Sequence, residues 1–261
     1  MKPFLRWAGS KRKLLPKLLP FWKQDYSRYV EPFMGSACLF FALNPRRAIL
    51  NDINADLIGA FLAVRDHPRV VFNLVSAIPQ GLRSYYRVRK QKAFRNASEQ
   101  AARFLFLNRF CFNGIYRTNE KGEFNVPYAP EGTGDLPTWP ELAEWSRRLK
   151  SARIYSEDFE AILDRTRESD FVYLDPPFAL DNRRIFRQYG PQTFGLDDLG
   201  RLGKALKRIH KRRVRFVLSY AYCPEALGAF GQWRIQKVYT QRNVAGFSRH
   251  RRKAAEILVS N

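Results

Sequence analysis

Residues 171–174 form an unbroken apolar run, Phe171-Val172-Tyr173-Leu174, that stops at Asp175-Pro176-Pro177-Phe178. Such a run predicts a buried strand. Two consecutive prolines can neither continue a sheet ladder nor enter a helix interior. The acid and the ring are therefore expected on a stiff corner at the C-terminal end of a strand, where open α/β sheets bind ligands. Prolines carry no N–H, so this corner offers carbonyl acceptors beside the Asp175 carboxylate. Phe178 adds a flat apolar face. Acceptors beside a stacking face suit a planar ring with an exocyclic amine, such as adenine.

A second strand end lies upstream. Tyr29-Val30-Glu31-Pro32-Phe33 reads as a strand running into a turn at Gly35, followed by a helix over residues 36–43. Ala48-Ile49-Leu50 reads as the next strand, ending at Asn51-Asp52-Ile53-Asn54, with a helix over 56–64. Strand, helix and strand, with an acid at the second tip, make half of a nucleotide-binding α/β sheet. Gly35 lets the backbone turn tightly against a ligand, and Asp52 is placed to accept the hydroxyls of a ribose. The full G-x-G-x-x-G spacing is missing, so a nucleoside without pyrophosphate fits better than a dinucleotide; S-adenosylmethionine is one. At the N-terminus, Trp7 and Lys11 flank the small-residue turn Ala8-Gly9-Ser10. They suit packing over an adenosine and meeting a carboxylate, although a basic helix cap would read the same way.

The chain has 261 residues, a 15% aromatic share and a net charge of +22. That length supports a sizeable core, and the aromatic share is that of a globular protein. A surplus of +22 makes a strong positive field whose commonest partner is a phosphate backbone. Cys38, Cys111 and Cys223 are scattered, which implies neither a disulfide framework nor zinc. No signal peptide and no membrane-length apolar run is read, so a reduced, cytoplasmic setting is expected, with nucleoid association through DNA.

Residues 65–107 have helical periodicity mixed with many arginines and lysines. Residues 108–140 read as loops and a hairpin, with its tight turn at Glu120-Lys121-Gly122-Glu123. Core patterning returns at 152–159. A helix is expected over 196–210, a strand over 215–220, and two paired final strands over 233–240 and 256–260. The loop from Leu107 to Asn119 interleaves Asn108, Arg109, Phe112, Asn113, Tyr116 and Arg117. Arginine and asparagine read base edges bidentately, each good pair being worth about 1–3 kcal/mol. Aromatics wedge into opened base steps. Asn108 and Asn125 also fit a purely structural role, holding the loop through backbone bonds. Two basic runs, 207–213 and 249–253, suit phosphate contacts that position a duplex without reading it, or a plain solvated face.

In this order the blocks resemble the Dam-type DNA adenine methylase family of N6-adenine methyltransferases, in its alpha arrangement. The matching stretches are residues 4–11, 30–35, 50–57, 107–117, 122–128 and 173–178. The resemblance implies an α/β, Rossmann-like S-adenosylmethionine-dependent core (1–64 and 151–261). It also implies an inserted, mainly helical plus β-hairpin target-recognition domain (65–150). Trp7, Lys11, Phe33, Gly35, Asp52 and Asp175 would hold S-adenosylmethionine, with no metal. Asp175, Pro176, Pro177 and Phe178 would be catalytic. Phe112, Asn113 and Arg117 would engage double-stranded DNA, and Arg117 points to a guanine in a GATC-like target. No obligate protein partner is implied, though a cognate restriction enzyme would be in keeping. Three departures stand out. Ala37 replaces a frequent second glycine, Phe178 replaces the commoner tyrosine, and the 247–251 loop lacks the expected pattern. The rival readings are an RNA or protein-amide methyltransferase, and a basic DNA-binding protein on a decayed fold. The Asp start of the tetrad and the asparagine–arginine loop disfavour the first; intact Asp52 and Asp175 disfavour the second.

Overall fold

The computed structural model describes residues 3–131, 134–178, 194–241 and 253–261. Short apolar runs broken by Pro, Gly and Asn give seven strands among these residues: β1 Arg28–Glu31, β2 Ala48–Asn51, β3 Ala152–Tyr155, β4 Asp170–Leu174, β5 Arg215–Ala221, β6 Arg234–Gln241 and β7 Lys253–Ser260. They form one sheet in the order β3-β2-β1-β4-β5-β7-β6. β1 to β5 run parallel to one another, and β7 inserts antiparallel between β5 and β6. The order reverses between β1 and β4, which is the crevice where open sheets of this kind bind ligands.

The period-2 alternation of the strands sorts side chains into two cores. Tyr29, Phe171 and Tyr173 point into one, while Val30, Val172 and Leu174 point into the other. The helices are α1 Leu15–Leu18, α2 Cys38–Leu43, α3 Ala55–Asp66, α4 Pro68–Ser76, α5 Leu82–Lys90, α6 Ala97–Phe110, α7 Trp139–Leu149, α8 Phe159–Asp164, α9 Leu196–Lys211 and α10 Pro224–Phe230. Residues of α2 to α7 line the first core, and α8, α9 and α10 cover the second. The sequence periodicity of 65–107 resolves into α4, α5 and α6, and their buried residues Val71, Tyr85 and Phe106 join the same cluster as the sheet.

The hairpin expected within 108–140 is short: Thr118 bridges Phe124 antiparallel and Cys111 bridges Tyr128, with backbone bonds from the Asn119 amide to Glu123 and from the Asn125 amide to Arg117. Asn119 Oδ1 adds to the turn by accepting from the amides of Lys121 and Glu123. The basic run 207–213 closes α9 just before β5 begins at Arg215, which pairs with Phe171, whereas Asp175 follows the opposite end of β4. Arg212 there donates to the carbonyls of Leu163, Asp164 and Thr166. The second basic run and the 247–251 loop lie outside the described residues, apart from the backbone of Lys253 in β7. No helix among the described residues is long and apolar enough to cross a membrane.

Candidate active site

Four strand ends and the N-terminal segment meet at the C-terminal edge of the sheet. The turn after β1 is compressed against Trp7. Gly35 has φ +46°, and a Cβ there would lie 2.7 Å from Trp7 Cδ1, so only glycine fits both the backbone and the ring. Ala37, two residues on, adopts φ 52° and ψ 37°, the left-handed geometry that glycine favours. The departure noted in the sequence therefore carries local backbone strain.

Asp52 closes this turn from the tip of β2. Its Oδ2 accepts from the Gly35 amide at 3.0 Å and its Oδ1 from the Asn54 amide at 3.0 Å. Asn54 in turn caps α3 by accepting from the Leu57 amide. Buried Asn51 fixes the strand tip by donating to the carbonyls of Pro32 and Glu157 and accepting from the Glu157 amide. Burial pushes the Asp52 carboxyl up to about 6, against the two amide bonds that favour its charge. Phe33 packs on Phe159 and edge-on to Phe194, with centroids 5.3 and 5.9 Å apart.

Asp175 follows β4, as its sequence context predicts. Lys11 Nζ donates to its Oδ1 at 2.6 Å, and Ser219 Oγ on β5 donates to the same oxygen at 2.9 Å. Lys11 is 8% exposed, and Nζ lies 4.0 Å from Glu256 of β7 and 5.2 Å from the Phe178 ring centroid. Phe178 is half-buried and packs edge-on against Tyr220 at 5.0 Å. Burial raises the Asp175 carboxyl, while Lys11 and Ser219 oppose the rise. Glu31, buried at the end of β1, accepts from Tyr29 Oη at 2.9 Å and is raised well above the usual carboxylate range, first by burial. Four carboxylates, Glu31, Asp52, Asp175 and Glu256, thus stand at this edge with Lys11 on a chain whose net charge is +22. Among the described residues no group of His, Cys, Asp and Glu is arranged to hold a metal ion.

The loop after α6 reaches the same edge. Trp7 stacks on Tyr116 at 5.6 Å and 28°, and Tyr116 Oη donates to Asp56 at 2.7 Å. Asn108 is a clasp, as its structural reading anticipated. It accepts from the Arg6 amide and donates to the carbonyls of Arg6 and Gly114. Gly114 has φ +62°, and a Cβ there would meet Arg6 Cβ at 2.8 Å. Asn125 accepts from Arg117 Nε at 2.7 Å, again within the loop. Phe112 is 43% exposed, and Asn113 is exposed at φ 55°.

The family model for D12 class N6 adenine-specific DNA methyltransferases matches residues 7–255. The chain belongs to this family. Its match runs from Trp7 through the Asp52 turn and the Asp175 corner to the start of β7. The type II methyltransferase M1.LlaDCHI of Lactococcus lactis subsp. cremoris is 31% identical, over 100% of this chain and 95% of that protein. The type II methyltransferase M.MjaIII of Methanocaldococcus jannaschii is 34% identical, over 94% of this chain and 93% of that one. The DNA adenine methylase of Escherichia coli is 28% identical, over 99% and 94%.

Of the residues read from the sequence, Trp7, Lys11, Gly35, Asp52, Asp175 and Phe178 are joined by direct contacts or shared neighbours at this edge of the methyltransferase fold. Ser219, Tyr173, Glu31 and Glu256 were not singled out. Glu31 and Glu256 carried a usable signal: each is a lone acid in an apolar strand, which a buried strand tolerates only with a partner or a function. Ser219 is a lone hydroxyl in Phe216-Val217-Leu218-Ser219-Tyr220, a weaker version of the same signal.

Proposed function

We propose that this chain binds S-adenosylmethionine at the Trp7–Gly35–Asp52 turn and methylates adenine N6 in double-stranded DNA, at a base flipped into the Asp175 corner. The observation that carries the reading is the acidic floor of a strongly basic protein. A ligand that is both sulfonium and ammonium is favoured beside Glu31, Asp52, Asp175 and Glu256, whereas DNA is favoured by the net positive charge. The residues fit such a cofactor. Glycine at position 35 leaves the Trp7 ring in close contact with backbone, and the Asp52 oxygens keep lone pairs for ribose hydroxyls beyond the two amides they accept.

When bound, S-adenosylmethionine supplies an electrophilic methyl group on a sulfonium. Asp175 and the Pro176 carbonyl accept the two N6 hydrogens of adenine, which turns the nitrogen lone pair out of the ring plane. Pro177 stiffens the corner, and Phe178 stacks on the base. Transfer is direct, with no covalent enzyme intermediate. Flipping costs a few kcal/mol. Stacking on Phe178 returns about 1–3 kcal/mol. Holding two reactants in line contributes about 7–11 kcal/mol to lowering the barrier.

Residues 65–150 serve as the target-recognition domain in this proposal. Phe112 wedges at the target step, Asn113 and Arg117 read the flanking bases, and the exposure of Phe112 and Asn113 supports that role. The type II names of two relatives support a protective role beside a cognate restriction enzyme. The test is methyl transfer from labelled S-adenosylmethionine to duplex DNA, RNA and protein in parallel, with the product nucleoside identified by mass spectrometry. N6-methyladenine from duplex DNA is expected. Label on another base, or only on RNA or protein, refutes the proposal.

A further inference from the structure

Both donors that reach Asp175 among the described residues land on Oδ1. Lys11 comes from the N-terminal segment and Ser219 from β5, so the convergence is tertiary. Ser219 is 0% exposed and has a single O–H, which it gives to Asp175 at 2.9 Å. The contact between Tyr173 Oη and Ser219 Oγ, at 3.2 Å, must therefore run with Tyr173 as donor. Tyr173 is 1% exposed on β4, two residues before Asp175. The result is a one-way relay of hydrogen bonds, Tyr173 to Ser219 to Asp175 Oδ1.

We infer that Ser219, oriented by Tyr173, is a positioning residue that with Lys11 saturates Asp175 Oδ1, leaving Oδ2 as the oxygen that accepts from the target amine. This rests on the proposed role of Asp175. A carboxylate with free rotation offers either oxygen, and a protonated one presents a donor where an acceptor is needed. With Oδ1 committed to two donors, any proton must go to Oδ2, where it blocks the amine. Ser219 thus sets both the direction of Oδ2 and the pH at which it can accept.

The charged and titratable groups around Asp175 are Lys11 from the N-terminal segment, Glu31 on β1, Cys38 on α2, Tyr173 on β4 and Glu256 on β7. The Glu256 charge raises the Asp175 carboxyl, and the Asp175 charge raises that of Glu31. Lys11 and Ser219 offset that at Asp175. Removing one offsetting donor raises the pH needed to ionise it.

The test uses the full chain, duplex DNA and S-adenosylmethionine in single-turnover assays from about pH 5 to 9, reading the acid limb of the rate. Ser219→Ala should move that limb up by about one pH unit, which is about tenfold in rate within the limb. KM for DNA and for cofactor should stay within about threefold of wild type, since the interaction acts on the reacting amine alone. Ser219→Thr, which keeps the hydroxyl, should restore the limb. Tyr173→Phe, which keeps the ring volume, should move it the same way by less. An acid limb unmoved in a folded Ser219→Ala protein overturns the inference. Should that variant not fold, an unmoved limb in Tyr173→Phe does so. Asp175→Ala separates the two levels. If it retains turnover, the role of Asp175 itself fails. If it is inactive while Ser219→Ala titrates like wild type, only the relay fails.

Discussion

Asp175 and Phe112 are held in opposite ways. Asp175 is 17% exposed, and its Oδ1 takes hydrogen bonds from Lys11 and Ser219, which come from two distant parts of the chain. Phe112 is 43% exposed on a turn whose next residue, Asn113, sits at φ 55°. The acidic floor is anchored from several strands and the N-terminal segment at once. The loop is anchored at its base, by Asn108 to Arg6 and Gly114 and by Tyr116 to Trp7 and Asp56, while its tip is left in solvent. Chemistry on one amine needs fixed acceptors. Reading a duplex needs side chains free to reach it. The two regions meet at Trp7, which touches both the Gly35 turn and Tyr116.

The division is tested most severely where the regions join. Asn108→Ala removes three hydrogen bonds between buried or half-buried groups and should cost about 2–4 kcal/mol of stability. It should lower both cofactor and DNA affinity, measured by thermal unfolding and by titration of each ligand. Loss of one affinity without the other would show that the clasp serves a single region. Phe112→Ala should leave the unfolding midpoint nearly unchanged, within about 0.5 kcal/mol, because the ring is exposed. Its rate constant for transfer to duplex DNA should fall about tenfold, and a mismatched target base should recover most of the loss.

The floor has a pH signature of its own. The Asp52 carboxyl lies at about 6 in the folded protein, above the ordinary carboxylate value, so the folded state holds an extra proton there below that pH. Folding stability from this group is therefore full at low pH and declines as pH rises through about 6. Cofactor affinity has the opposite sign, since ribose hydroxyls favour the ionised acceptor. It should rise by up to about tenfold per pH unit approaching 6 and level off above it. Calorimetry in buffers of different ionisation enthalpy would detect the released proton, and Asp52→Asn should abolish the dependence. The smallest effect concerns Ala37. Ala37→Gly relieves left-handed strain but loses a buried methyl and adds unfolded-state entropy, so stability should change by less than about 1 kcal/mol. Cofactor affinity should be unchanged, as read by the same titrations.

Much of the floor was legible because its signals are local. The apolar runs at β1, β2 and β4 end at Pro, Gly or Asn, and each acid sits at a strand tip by sequence position alone. The convergence of Lys11 and Ser219 on one oxygen was not legible, because it depends on how β5 and the N-terminal segment pack beside β4. The insertion of β7 between β5 and β6, which brings Glu256 to Lys11, is equally long-range. In the loop, Asn108 and Asn125 turn inward to backbone and to Arg117, in keeping with the structural role the sequence offered them, while Asn113 is exposed. At 207–213 the charge is visible in the sequence, but which edge of the sheet carries it is not.

The division between floor and loop is tested most directly by Asp175→Ala, assayed side by side for transfer of labelled methyl to duplex DNA and for equilibrium DNA binding. A carboxylate that acts only on the reacting amine should lose at least about a thousandfold in turnover on removal, with DNA affinity kept within about threefold. Turnover that persists, or DNA affinity that falls in step with it, would contradict the account.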